Sequence, residues 1–280
     1  MIKSSYHLFT VFGIPIKADL SLFILIFILV RGESSPLYGL AAGLVLLVSI
    51  LLHELGHSLV AMAFGCRVKD ITLMMIGGCA SMLSMPSKAW QELLMALAGP
   101  LVSLALALFG FVALYTPIGH ILGATELTGF MLVYLMYLNA VLFVFNLLPA
   151  FPMDGGRILR SLLQQFFMTK VKATWIASRL GRFIAILMAL SVIYSWMTKQ
   201  FDGYLIIRLL IAYMIYRAAE QEYQMVLAQE GYGNGNPFAR FGFPFFGRTT
   251  RTPPPDDGQA IVSPPPYERG GGKRVDVRKE

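Results

Sequence analysis

The stretch LVLLVSILLHELGH, residues 44–57, ends an apolar run, broken only by Ser49, with three ionisable side chains in five residues. The run belongs to a longer apolar segment at about 37–64, long enough to cross a bilayer as a helix. His53, Glu54 and His57 then lie at membrane depth. Ionisable groups are costly there, and a chain that keeps them is a candidate for using them. Helix positions i and i+4 share a face, so both imidazoles can reach one metal ion, with Glu54 placed as a general base. A buried histidine pair with no ligand is the competing reading, and the apolar context disfavours it.

Composition extends the membrane reading to the whole chain. Of its 280 residues, 56% are hydrophobic and only 14% charged, and the mean hydropathy is +0.64. The formal net charge of +7 is unevenly spread. No array of basic and aromatic residues accompanies it, so it reads as a cytoplasmic-face signal and not as a nucleic-acid footprint. Residues 1–10 lack a long apolar core followed by a small-residue cleavage site, and a removed signal peptide is not expected. Cys66 and Cys79 fit neither a disulfide framework nor a Cys-x-x-Cys metal pattern, and are expected as free thiols in a reducing compartment.

Six apolar segments approach spanning length, at about 18–30, 37–64, 90–115, 127–149, 173–198 and 203–219. The first is short. Lys3, Lys17, Arg67, Lys69, Lys88, Arg157, Arg160, Lys170, Lys172 and Arg217 fall on one side of this arrangement, and Arg31 and Lys199 on the other. The positive-inside rule puts both termini in the cytoplasm and the HELGH run in the cytoplasmic half of the second span. The expected fold is mainly α, a polytopic cell-membrane protein with about six transmembrane helices, a small membrane-associated β element and a disordered C-terminal tail. Its parts are an N-terminal β segment (1–17), a transmembrane domain (18–222) and a proline- and glycine-rich cytoplasmic tail (223–280).

Two segments resist a simple helical reading. Residues 67–86, rich in Ile, Thr, Val and Met around Gly77-Gly78, predict strands dipping toward the membrane. Residues 149–156 (PAFPMDGG) put two prolines and two glycines at the cytoplasmic end of the fourth span. Irregular backbone at that depth needs protein or a wet cavity to satisfy it. From Gly231 the composition changes, and eight of the fifteen prolines follow. Within that tail Pro264-Pro-Pro-Tyr267 matches a ligand motif for WW domains, so an unidentified partner for the tail is possible.

A catalytic zinc usually takes three protein ligands and keeps a fourth position open. HELGH supplies two. His7 and His120 are the only other histidines, and neither is well placed. Asp154, in the broken segment at the same membrane face, is the best candidate for the third; its alternative role is to cap the helix that follows.

The HELGH run, with Asn146-Leu-Leu-Pro-Ala-Phe-Pro-Met-Asp154-Gly-Gly-Arg157 about a hundred residues on, resembles the site-2 proteases, intramembrane zinc metalloproteases of regulated intramembrane proteolysis. Phe12-Gly-Ile-Pro-Ile16, Gly77-Gly-Cys-Ala80 and Ala98-Gly-Pro100 agree, and the resemblance covers about residues 6–222. It implies one Zn2+ held by His53, His57 and Asp154, with Glu54 as base. It also implies an oxyanion or substrate-positioning role for Asn146 and a substrate-facing strand at Gly77 and Gly78. A helix end cap and a hairpin turn are the plainer roles of those last residues. The layout is most similar to the six-span group, with no segment expected to form a PDZ or CBS domain. Ser103 stands where the family often has asparagine. The expected partners are a transmembrane protein substrate and the lipid bilayer. A divalent-metal transporter and a prenyl-protein-type membrane zinc peptidase remain as alternatives.

Overall fold

A computed structural model describes residues 5–33, 35–74, 77–86, 88–116, 125–198 and 205–230. These lie in one compact unit, Met1–Arg240. The proline-rich tail from Gly231, with its WW-type motif, and His120 fall outside the described residues.

The chain begins with a hairpin, β1 (Ser5–Val11) and β2 (Ile14–Asp19), whose turn residues Phe12 and Gly13 both have positive φ, 50° and 80°. Two such residues give the primed turn that matches the twist of antiparallel strands. Strands β3 (Val68–Met74) and β4 (Gly77–Met82) form a second antiparallel pair, with Leu73 opposite Gly78 and Met74 opposite Gly77. Strand formation over 67–86 was expected from the β-branched composition. The N-terminal hairpin joins it in one sheet ordered β1-β2-β3-β4, with Ile16 parallel to Ile71. Parallel neighbours need a long crossover. Here it is two helices, α1 (Ser21–Gly32) and α2 (Pro36–Ala63).

The sheet's buried face meets α2. Ile14, Ile16, Ala18, Ile71 and Leu73 from the strands cluster with Leu22 of α1 and with Ile50 and Leu55 of α2. Ile50 lies just before the HELGH run and Leu55 within it, so the contact that seals the sheet also sets its distance from Glu54.

Five more helices follow: α3 (Ala89–Tyr115), α4 (Glu126–Asn146), α5 (Asp154–Phe166), α6 (Lys170–Met197) and α7 (Leu205–Gln229). Among the described residues α2, α3, α4 and α6 are long and apolar enough to cross a membrane. Helix α1 has 12 residues, about 18 Å of rise against a hydrocarbon core of about 30 Å. Helix α7 starts in the expected sixth segment but runs on to Gln229, and it carries Arg208, Arg217, Glu220 and Glu222. Helix α5 is strongly amphipathic, with Arg157, Arg160 and Ser161 among its apolar residues. The fourth apolar segment stops as helix at Asn146, three residues short of the expected end, because the chain must turn before Pro149.

The helices are joined by polar pins as well as by packing. Asn139 of α4 is fully buried and its Nδ2 donates to Ser49 Oγ of α2 at 2.8 Å and to the Leu135 carbonyl at 2.9 Å. Ser178 Oγ of α6 donates to the Ala219 carbonyl of α7 at 2.7 Å. Cys66 and Cys79 are free thiols. Interhelical side-chain bonds in membrane bundles average about 0.6 kcal/mol and reach about 1.7. A double-mutant cycle on Ser49→Ala and Asn139→Ala, read by reversible unfolding in bicelles, should return a coupling in that range; zero coupling would mean the bond does not survive in the bilayer.

Candidate metal centre

Helix α2 presents His53 and His57 one turn apart on a buried face, their rings edge-on with centroids 4.8 Å apart. The bend after α4 then delivers Asp154 from across the molecule. Asp154 is the first residue of α5; Met153 occupies the cap position in extended conformation, and no side chain caps the helix. Its carboxylate instead turns to the histidines, with Oδ2 3.2 Å from Nε2 of both His53 and His57. The two Nε2 atoms are themselves 3.2 Å apart.

That triangle has the size a metal ion requires. A tetrahedral zinc with bonds of about 2.0–2.1 Å separates its ligands by about 3.3–3.4 Å. Two imidazole nitrogens and a carboxylate oxygen are a borderline donor set suited to it. They form the one group of three such side chains able to share an ion among the described residues. Gly99 of α3 gives a second sign of fit. A Cβ there would overlap His57 Nε2 and stand 2.8 Å from His53 Nε2, so the glycine leaves open the space into which both nitrogens point.

The remaining ring nitrogens are held from behind by α3. His57 Nδ1 donates to the Met95 carbonyl at 2.7 Å, which leaves the Nε2 lone pair facing the cluster. His53 Nδ1 lies 2.9 Å from Ser103 Oγ, which is fully buried. Neither partner was identified as part of the site from the sequence. A backbone carbonyl leaves no trace in a side-chain pattern, and Ser103 had registered only as a departure from an asparagine. Ala98-Gly99-Pro100 was the available signal, since Gly99 lies between these two contacts on α3.

Glu54 is half-buried on the neighbouring face of α2, beneath the sheet. A Cβ on Gly78 would come within 2.5 Å of Glu54 Cγ and 3.2 Å of its Cδ, so the β4 backbone crosses directly over that side chain. Gly77, at φ 137°, holds a conformation that L side chains rarely adopt. Asn146 is half-buried at the end of α4, and its amide makes no hydrogen bond among the described residues. The structure thus brings His53, His57 and Asp154 together and stacks Gly78 on Glu54, while Asn146 makes no hydrogen bond to the cluster.

Two glycines let the bend close. A Cβ on Gly155 would strike the Leu148 carbonyl, and one on Gly156 would lie 2.6 Å from the Phe151 nitrogen. The Asp-Gly-Gly sequence therefore has a packing reason: only bare backbone lets α5 start this close to the turn before it.

The sequence profile of Peptidase family M50 matches residues 41–131 and 117–188. A zinc metalloprotease of Methanocaldococcus jannaschii is 38% identical over 226 residues, covering 79% of this chain and 61% of that protein. A protein of Synechocystis sp. is 37% identical over 186 residues, 62% of this chain and 48% of its own length. The chain thus spans about half to three-fifths of these curated relatives. The solved structure of the site-2 protease from Methanocaldococcus jannaschii superposes with a TM-score of 0.57 at 35% identity, covering 78% of this chain and 95% of the other. With the profile spanning the HELGH helix, the α3 scaffold and the Asp-Gly-Gly turn, the chain belongs to Peptidase family M50, the family of the site-2 proteases.

Proposed function

We propose that this protein is an intramembrane zinc endopeptidase that hydrolyses peptide bonds in or near transmembrane segments of membrane-tethered regulatory proteins. The observation that carries this reading is the triangle of His53, His57 and Asp154 donor atoms 3.2 Å apart, with Glu54 on the same helix and at the edge of a sheet. His53, His57 and Asp154 hold the ion, and Met95 and Ser103 keep the imidazoles turned toward it. Zinc, when bound, would polarise a carbonyl and bring the pKa of a water it holds down toward neutrality. Glu54 takes the proton of the attacking water and returns it to the leaving amine. Asn146, whose amide is uncommitted, positions substrate or donates to the oxyanion.

Substrate presentation falls to β4. It pairs with β3 on one side and ends the sheet on the other, so its outer backbone groups are open to a further strand. A transmembrane helix hides its amides in internal bonds, so a substrate must unwind before it can pair there. Gly77 and Gly78 let the unwound segment approach Glu54 closely. Helix-breaking residues near the cut are therefore favoured.

The wider topology completes the proposal. Helices α1 and α7 join the four long spans as the outer members of a six-span domain over 18–222, following an N-terminal β segment (1–17). Both termini face the cytoplasm, and the proline-rich segment that follows α7 lies on that side, with its motif offered to a partner. The transporter alternative calls for a second set of intramembrane ligands, and the prenyl-peptidase alternative for a glutamate ligand. Neither is present among the described residues.

Glu54→Gln should lower cleavage of a helix-breaking transmembrane peptide by at least about 10²–10⁴-fold, the usual contribution of a general base, with zinc content unchanged by metal analysis. Loss of zinc in that variant, or cutting at the wild-type rate, would remove Glu54 from this role. Asp154→Ala should release the ion and the activity together, whereas chelation of the wild type should be reversed by added zinc. Gly78→Val drives a side chain into Glu54 and covers the strand edge; activity should fall while zinc stays bound, and unimpaired cutting would argue against strand pairing at β4.

A further inference from the structure

The most deeply enclosed ion cluster outside the metal centre joins three helices. Arg160 of α5, only 2% exposed, is the bulkiest fully buried side chain among the described residues. Its Nε donates to Glu92 Oε1 of α3 at 3.0 Å, and Nη2 donates to the same oxygen. Its Nη1 donates to Glu222 Oε1 of α7 at 2.8 Å. The guanidinium lies 4.9 Å from the centre of the Phe151 ring, itself 1% exposed in the bend that leads into α5. One cation thus grips two carboxylates and one aromatic face.

The placement of these contacts bears on the metal centre. Two of its side chains come from α2 and the third from α5, so the triangle holds only while these helices keep a fixed distance. Helix α3 is the shared frame. It grips α2 through Met95 and Ser103, and it grips α5 through Glu92, which lies one turn before Met95. Arg160 lies six residues after Asp154, about 9 Å along the same helix. Its hold on Phe151 reaches back to the bend on the other side of Asp154. The carboxylate is therefore bracketed by two points that one guanidinium ties down.

We propose that Arg160 is a positioning residue for the metal centre, fixing α5 against α3 so that Asp154 meets the two histidines; this rests on the zinc reading above. Without the guanidinium, Glu92 and Glu222 lose the hydrogen-bond donor they share; Arg157, one turn earlier on α5, still acts on both through its charge, but among the described residues none of its contacts ties α5 to α3 by a hydrogen bond. Lysine keeps a charge there but cannot span both carboxylates as the planar fork does.

The test compares full-length wild type, Arg160→Met, Arg160→Lys and Glu92→Gln in nanodiscs, each loaded with zinc and, separately, with cobalt. Zinc affinity is measured by chelator competition, and the cobalt absorption bands report ligand geometry. Arg160→Met should weaken zinc binding by about 10–100-fold, the range for lost outer-shell partners, and shift the cobalt bands. It should also lower kcat more than it raises KM. Arg160→Lys should recover part of the affinity, and Glu92→Gln should move the cobalt bands the same way. A folded Arg160→Met protein with wild-type affinity and bands would overturn the proposal and leave Arg160 a purely structural residue. If that variant does not fold, unaltered bands in both Arg160→Lys and Glu92→Gln would overturn it equally. A wild-type protein that takes up no zinc would overturn the metal centre itself, and this inference with it.

Discussion

Three donor atoms converging at 3.2 Å within an apolar bundle set the terms for the rest of the fold. Two nitrogen lone pairs and a carboxylate oxygen repel one another unless a cation or a proton lies among them. Desolvation raises the cost of every arrangement except one in which the charges are compensated. The helices around the cluster therefore do more than exclude lipid. They hold Nε2 of both imidazoles and one oxygen of Asp154 in a geometry that the side chains would not adopt by themselves.

Helix α3 carries most of that burden. It offers the Met95 carbonyl and the Ser103 hydroxyl to the imidazoles, the bare backbone of Gly99 to the space before them, and Glu92 to Arg160. These residues span three turns of one helix, which is why a helix with none of the three donor atoms sets the relation between the two that carry them. Preorganisation of this kind holds the three donors in place before an ion would arrive. It also accounts for buried polar groups in a segment that composition describes only as a membrane span.

The sheet solves a different problem. A peptide bond inside a helix is shielded by its own hydrogen bonds, and a protease in the bilayer has to accept it in extended form. In the proposed activity the edge of β4, packed over Glu54, meets that need. The packing of Ile50 and Leu55 against Ile16, Ile71 and Leu73 keeps the edge at a constant height. Here the hydrophobic core and the chemistry share one helix turn.

Much of this could be read from the chain before any coordinates. Apolar runs near 37–64 and 90–115 became helices within about a residue of the expected ends, because a span is written into composition over many positions. The i, i+4 spacing placed His53 and His57 on one face, and the β-branched residues around Gly77-Gly78 became strands. Asp154 was recognisable as a candidate from the broken segment, but not its choice between capping a helix and facing the histidines. That choice depends on the Cβ-free contacts of Gly155 and Gly156 with the preceding bend. The joining of the N-terminal hairpin to the second strand pair, the roles of Met95 and Ser103, and the grip of Arg160 on Glu92 and Glu222 were likewise invisible. Short-range periodicity reports which face of an element is apolar, and a motif reports which atoms are available. Which carbonyl meets which ring, and which carboxylates share one guanidinium, are contacts between residues 38 to 68 positions apart in the chain. Only the packed bundle brings them within hydrogen-bonding distance.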